Sequence, residues 1–359
     1  MLIQAESLRE LVTEIFVHAG SSRTEATNIA TRLTGANLSG HDSHGVVRCH
    51  RYVQSLANGV AHSDVTVDML MDNEVLAVVD GKFGMGQTVG QQAVQIGIDK
   101  AATYGVSLVA LRHAGHLGRI GDWAEMAAAA GLVSIHMVNV ANGLLVAPFG
   151  SAERRFGTNP VTIGIPMPEG DPLILDFATS VVAEGKALVA LNGGKPVPDN
   201  ALVDGDGEIT GDPSVLYGDV PEGKVPDPRR GPGALRAMGD HKGSGLAFMC
   251  EILAGVLTGS GTADQTPFCN GMLSIYVNPT FLESDNSFAA DVVRFVNHVR
   301  AAEPAAGVDK VLAPGDPERQ RRTEREIAGI ELPDNTWASI LRAAEEAGVP
   351  SDRVAEITG

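Results

Sequence analysis

Hydrophobic positions recur at helical spacing near both ends of the chain and at strand-like spacing in its middle. Leu8, Leu11, Val12, Ile15 and Phe16 share one helical face, so residues 6–38 read as two helices, with Ser22 and Glu25 as a capping box for the second. A third helix is expected from about Ser43 to Ala57, with Val47, Tyr52 and Leu56 facing inward. The texture then changes. VTVDMLM, EVLAVVD and VSLVALR are strand-like, with a helix over Gln87–Tyr104 before the last of them. A helix over Gly121–Ala130 follows, then the strands VSIHMVNV, VTIGIPM and LILDFA. Asn192–Pro232 is rich in Gly, Pro and Asp without helical periodicity and reads as loop and turn. GSGLAFMCEILAGVLTG is apolar enough to predict a buried helix, and further helices are expected near Ser287–Ala302, Asp316–Ala328 and Asn335–Ala347. The layout is an α/β middle, residues 73–235, enclosed by helical segments at 1–72 and 236–359, the latter returning to the first.

Composition narrows the class. With 359 residues, 44% hydrophobic and 20% charged, the chain fits a soluble globular protein with a large core. Its 27 Lys and Arg against 44 Asp and Glu leave a net charge of −17, which repels phosphate backbones and argues against nucleic acid. Cys49, Cys250 and Cys269 show no CxxC spacing, which points to a reducing cytoplasm without disulfides or zinc thiolates. MLIQAESLRELVTEIFVHAG carries acidic residues in an amphipathic pattern and does not read as a signal peptide. No apolar run reaches the length of about 18 residues that a membrane span requires.

Several segments could carry chemistry. GKFGMGQTVG, between a strand and a helix, has Val89 where a dinucleotide fingerprint needs its third glycine, and the next strand ends in Arg112 rather than an acid; it reads as a plain glycine-rich connection. In HDSHGVVRCHRY, His44 and Arg48 lie four apart, one suited to proton transfer to a carbonyl oxygen and the other to a bidentate grip on a carboxylate. The same segment equally fits a helix start capped by Ser43. His116 and Arg119, in RHAGHLGRIGDWAE, follow a strand and open a helix, where they could face a cleft or merely cap a turn. His41-x-x-His44 and His113-x-x-His116 lack a clear third ligand, so a metal is not expected. Thr158, Asn159, Thr179 and Ser180 sit at strand ends where amides and hydroxyls could cradle a phosphate or ribose, and Asp176 could orient a histidine. His241 and Lys242 precede an apolar helix and form a ready anion site, whereas Gly315, Asp316 and Pro317 read as an ordinary helix start.

Taken together, GHDSHGVVR, GHLGRIGDWAEMAAAAGLVSIH, APFGSAERRFGTNP, LDFATSVVAEGK, GKPVP, DHKGSGLAFMCEILAGVLTG and PGDPE resemble one family in its order over roughly residues 5–350: the type-2 malate/L-lactate dehydrogenases, in particular the hydroxycarboxylate dehydrogenase B branch. The resemblance implies a non-Rossmann α/β domain binding NAD or NADP, a helical domain formed by both chain ends, and a homodimer with its site near the subunit interface. It implies hydride transfer to or from a small 2-hydroxy or 2-oxo carboxylate. His44 would be the proton donor or acceptor, with His116 a second candidate, Arg48 the carboxylate clamp and Ser43 beside it. Asp176, Phe177, Ala178, Thr179 and Ser180, with His241, Lys242, Gly315, Asp316 and Pro317, would carry the cofactor, Thr158 and Asn159 lying near it. Ser244 stands where many relatives have Tyr, so specificity does not transfer. A reductase of a cyclic imine carboxylate needs the same clamp and cofactor. A His-cluster metalloenzyme and a cofactor-binding protein without catalysis are readings of other classes.

Overall fold

The computed structural model describes residues 1–191, 195–220, 226–265, 267–282 and 287–359. Within them a seven-stranded sheet runs in the order Asp68–Asp72, Leu76–Asp80, Val106–Ala114, Cys269–Val277, Val133–Ala141, Val161–Ile165, Leu173–Phe177. Leu76–Asp80 and Val106–Ala114 pair in parallel, and the other neighbouring pairs are antiparallel. The α/β middle expected from the pattern is therefore present. Its central strand, Cys269–Val277, comes from the portion of the chain read as helical. Polar Asn270 and Ser274 disguise it, because both are buried and bonded: Asn270 Oδ1 accepts from the Leu117 amide at 2.9 Å, and Ser274 Oγ lies 2.9 Å from His136 Nδ1.

One apolar core joins the two chain ends, with Leu8, Ile15, Ile29 and Tyr52 packed among Ile330, Ile340 and Ala343. A second lies between the sheet and the helices Gly86–Tyr104 and Gly121–Ala129, around Val89, Val94, Trp123 and Tyr276. A third, around Leu202, Leu216, Tyr217 and Leu235, belongs to a small four-stranded sheet that includes Val146–Ala147 and Ala234–Arg236. The stretch expected to be loop supplies two short strands of that sheet and the helical turn Ser214–Tyr217; its residues 192–194 and 221–225, with Gly194 of GKPVP, lie outside the described residues. Two further helices, Glu184–Leu191 and Ser351–Thr358, have no counterpart in the sequence reading.

Two expectations need correcting. The helix expected over Ser43–Ala57 begins instead as two 3-10 turns, Asp42–His44 and Val46–Arg48, and is α-helical only over Cys49–Ala57. Asn37 imposes the break. Its Oδ1 accepts from the Val46 amide at 2.8 Å and occupies the space that a side chain at Gly45 would need. The apolar helix at 243–259 is also not buried all round. It runs as His241–Cys250, continues as a π-helical turn over Glu251–Val256, and turns the small residues Ala247, Cys250 and Ala254 inward. Phe248, Met249, Ile252, Val256 and Leu257 are left exposed.

Helix Gly86–Tyr104 lies so close to the central strand that a methyl on Gly97 would enter the fully buried ring of Tyr276. Gly97→Ala is expected to cost about 1–3 kcal/mol of stability, read as a lower denaturant midpoint; an unchanged midpoint would show that the ring moves aside. His136 is wholly buried in the same sheet between Ser134 and Ser274, and burial depresses it from 6.5 to about 3. The unfolded chain binds this proton more readily than the folded one, so stability is retained above 6.5 and drains as pH falls toward 3. Each unit of depression is worth about 1.4 kcal/mol. Denaturant unfolding at about pH 7 and about pH 5 should show the loss before most carboxylates titrate, and His136→Asn should make it shallower, the remainder belonging to the depressed His44 and His116.

Candidate active site

The segment His41–Arg48 is clamped from both chain ends. Asn37 Nδ2 donates to Asp42 Oδ1 at 2.6 Å, and Arg325 from the helix Asp316–Ala328 grips the same carboxylate at 2.6 and 3.0 Å. His41 Nε2 lies 3.4 Å from Glu318 Oε1. Within this clamp, Ser43 Oγ is 2.9 Å from His44 Nδ1, and the Ser43 carbonyl accepts from Arg48 Nε at 2.6 Å. That bond aims the guanidinium while its two terminal nitrogens remain without a partner among the described residues. Helix Glu184–Leu191 closes this side, with Gly185 directly against Ser43.

His116 arrives from the sheet, on the connection between the strand Val106–Ala114 and the helix Gly121–Ala129. The glycine-rich segment that fails as a dinucleotide fingerprint builds its seat. The Gly115 amide donates to the Gly84 carbonyl at 2.8 Å, and a side chain at Gly86 would overlap the His116 carbonyl. Two backbones thus meet where neither carries a Cβ. The His116 ring faces His44 nearly parallel, with centroids 5.6 Å apart and 19° between planes. Residues from the helical core and from the sheet meet here.

Electrostatics keep both rings neutral. Burial, then Arg48, then His41 push His44 from 6.5 to about 3, and burial with Arg48 and His44 holds His116 well below its usual value. Both residues are half-exposed, and each ring is uncharged at neutral pH and able to take up a proton. A neutral pair beside the Arg48 guanidinium, with Arg51 also acting on His116, is a site for an anionic group next to a proton-exchanging one.

The other candidates fall into two groups. Turns 158–159, 177–181 and 236–242 are stitched together: the Thr179 amide donates to the Thr158 carbonyl at 3.0 Å, and the Met238 amide to the Thr179 carbonyl at 2.8 Å. Phe177 and Ala178 are half-buried there, whereas the hydroxyls of Thr179 and Ser180 are turned inward onto the carbonyls of Thr158 and Val182. Asn159 is fully buried at φ 33°, donating to Glu251 and to the Ala247 carbonyl. His241 and Lys242 are exposed on a helix turn that no side chain caps, and Ser244 Oγ accepts from the Phe149 amide at 2.9 Å. Gly315 to Pro317 lie at the other end of the strand Leu173–Phe177, beside Ile174, with Asp316 paired to Arg300 and Arg319.

Asp176 does not orient a histidine. Its carboxylate accepts from Thr162 Oγ1 at 2.6 Å and from the Gly121 amide at 2.8 Å, with Arg119 Nε at 4.0 Å, so it fastens the start of the helix that follows His116. The group on a histidine is one read from the sequence only as core: Tyr52, whose hydroxyl lies 2.6 Å from His116 Nδ1 and accepts from Gln87 Nε2 at 3.3 Å. The spacing of His44, Arg48 and Tyr52, each four apart, was the available signal. His113 is held apart on Asp80 at 3.1 Å, and among the described residues no group of three or more His, Cys, Asp or Glu side chains is gathered for a metal. No described helix is long and apolar enough to cross a membrane.

This arrangement has relatives. Residues 3–341 match the profile of the malate/L-lactate dehydrogenase family. Hydroxycarboxylate dehydrogenase B of Escherichia coli K12 is 37% identical over 97% of this chain and 95% of its own length. The crystal structure of malate dehydrogenase from Entamoeba histolytica superposes with a TM-score of 0.88 at 25% identity, covering 98% of this chain and 99% of that one. That of Δ1-piperideine-2-carboxylate reductase from Pseudomonas syringae pv. tomato superposes with a TM-score of 0.79 at 30% identity, covering 96% and 99%. With a shared profile and shared fold along nearly the whole chain, the protein belongs to the malate/L-lactate dehydrogenase family.

Proposed function

We propose that this 2-hydroxyacid dehydrogenase works with NAD or NADP on a small 2-hydroxy or 2-oxo carboxylate, with Arg48 holding the carboxylate and His44 exchanging the proton. The observation that carries this reading is a guanidinium with free terminal nitrogens beside two facing, neutral histidines. A carboxylate on Arg48 sets the adjacent carbon and its oxygen within the reach of a neighbouring ring. It also offsets the charge that depresses both histidines, so a bound substrate raises their affinity for a proton. In the reducing direction His44 delivers that proton to the carbonyl oxygen; in the oxidising direction its neutral ring receives it from the hydroxyl.

A nicotinamide cofactor fits the second group of residues. Lys242 and His241, exposed on an uncapped helix turn, suit a diphosphate, and the backbone from Asp176 to Ser180 lies beside them, stitched to Thr158. Gly315, Asp316 and Pro317 would hold the far end. When bound, the nicotinamide supplies or takes the hydride. The mostly antiparallel sheet supports a cofactor domain of non-Rossmann type, since doubly wound dinucleotide folds are mostly parallel. The chain is proposed to act as a cytoplasmic homodimer, its exposed apolar face from Phe248 to Leu257 lying on the helix that begins with His241 and Lys242. A second reading, reduction of a cyclic imine carboxylate, is favoured by the shared fold with the Pseudomonas reductase and needs the same clamp.

The test is nicotinamide absorbance with purified protein, NADH or NADPH, and pyruvate, oxaloacetate, 2-oxoglutarate, phenylpyruvate and a cyclic imine carboxylate. Oxidation with one member is expected; no turnover together with no cofactor binding would overturn the reading. His44→Ala should lose about 10²–10⁴-fold in kcat while still binding cofactor, and wild-type turnover would remove His44 from the reaction. Arg48→Ala should lower kcat/KM for the carboxylate by at least about a hundredfold; an unchanged value would contradict the clamp.

A further inference from the structure

Gln87, Tyr52 and His116 form a chain in which each hydrogen bond fixes the direction of the next. Gln87 Nε2 lies 3.3 Å from the His116 carbonyl oxygen and 3.3 Å from the Tyr52 hydroxyl. A carbonyl only accepts, so the Gln87 amide must present its NH2 group to both. Its oxygen is left buried without a partner, yet turning the amide over would set two oxygens against each other and strand two donors instead of one acceptor. Tyr52 oxygen therefore receives a hydrogen from Gln87, and its own single hydrogen is left for His116 Nδ1, 2.6 Å away. Burial pushes the Tyr52 phenol up to about 12, so that hydrogen is retained at neutral pH. A ring nitrogen that accepts carries a lone pair, so the one proton of the neutral ring sits on Nε2. That nitrogen has no partner among the described residues.

We infer that Tyr52 and Gln87 are positioning residues that hold His116 as its Nε2–H tautomer, so that this histidine offers the substrate oxygen a hydrogen-bond donor while proton exchange belongs to His44. The inference rests on the proposed reading of the site and divides the labour between two histidines that the sequence leaves interchangeable. A neutral imidazole N–H aimed at the oxygen where charge develops stabilises it without having to give up its proton. The geometry also explains why a tyrosine stands at a core position. Its ring packs against Phe16 at 6.4 Å and against the His116 ring at 5.9 Å, which a phenylalanine would do equally well; only its hydroxyl can hydrogen-bond His116 Nδ1.

The experiment is NMR of protein labelled with 15N-histidine, using long-range ring correlations that distinguish the two tautomers, with the His116 signals assigned by their loss in His116→Gln. In the wild-type protein His116 is expected as Nε2–H. In Tyr52→Phe the Nδ1–H form should appear, with kcat down about tenfold for one lost hydrogen bond and KM for the 2-oxo acid nearly unchanged. Gln87→Met should release the same tautomer without touching the Tyr52 ring. An Nδ1–H ring in the wild-type protein overturns the inference and needs no variant to fold. An unchanged tautomer and unchanged kcat in folded Tyr52→Phe also overturns it. Failure of the dehydrogenase reading looks different, because the wild-type protein would then turn over no member of the substrate panel whatever its tautomer.

Discussion

The site depends on a backbone contact. His44 is carried by the helical layer and His116 by the sheet, and the two rings meet only because the chain around Gly84 and Gly86 lets the Gly115–His116 backbone lie directly on it. Side chains at this junction would overlap the facing backbone and force the two layers apart. The contact is also covered by polar links rather than left bare: Gln87 donates to the His116 carbonyl, and Asp176 fixes the helix that follows. Strand, glycine turn and helix together fix where the His116 ring stands.

The charge arrangement follows from the same geometry. The protein as a whole carries −17, yet the facing histidines are neutral and Arg48 is the charge they both feel. A carboxylate approaching this surface is repelled at long range and attracted at short range, where screening by salt is weakest. The repulsion falls on any anion, whereas the attraction is local to the Arg48 guanidinium.

Much of this was legible in the sequence. The amphipathic helices, the Ser22 cap, whose hydroxyl accepts from the Glu25 amide at 3.2 Å, and most strands of the main sheet follow from spacing alone. The motif residues His44, Arg48 and His116 do meet in space. What was not legible depended on long-range partners. Cys269–Val277 hides as a strand because its polar residues are satisfied by neighbours 130 or more positions away, as in Asn270 on the Asn139 carbonyl. Tyr52 carries only the weak signal of its spacing from His44 and Arg48, and its role shows once His116 is placed next to it. Asp176 has the composition of a histidine orienter, but its position across from Thr162 in the sheet decides otherwise. The glycine-rich turn lacks the dinucleotide fingerprint, and its use as a seat for another backbone leaves no trace in local sequence.

Arg325, more than 280 positions after Asp42, closes the loop that carries Ser43, His44 and Arg48. The strand at the middle of the main sheet is likewise supplied by residues beyond 268. During synthesis, the N-terminal helices and the first strands therefore emerge long before their partners, with an open slot in the sheet and a loose loop where the site will be. Loop closure across such distances is slow and exposes apolar surface while it waits. The same wiring ties the candidate site to the part of the chain made last: the loop of His44 and Arg48 gains its Arg325 clamp only when the last third of the protein has folded back onto the first.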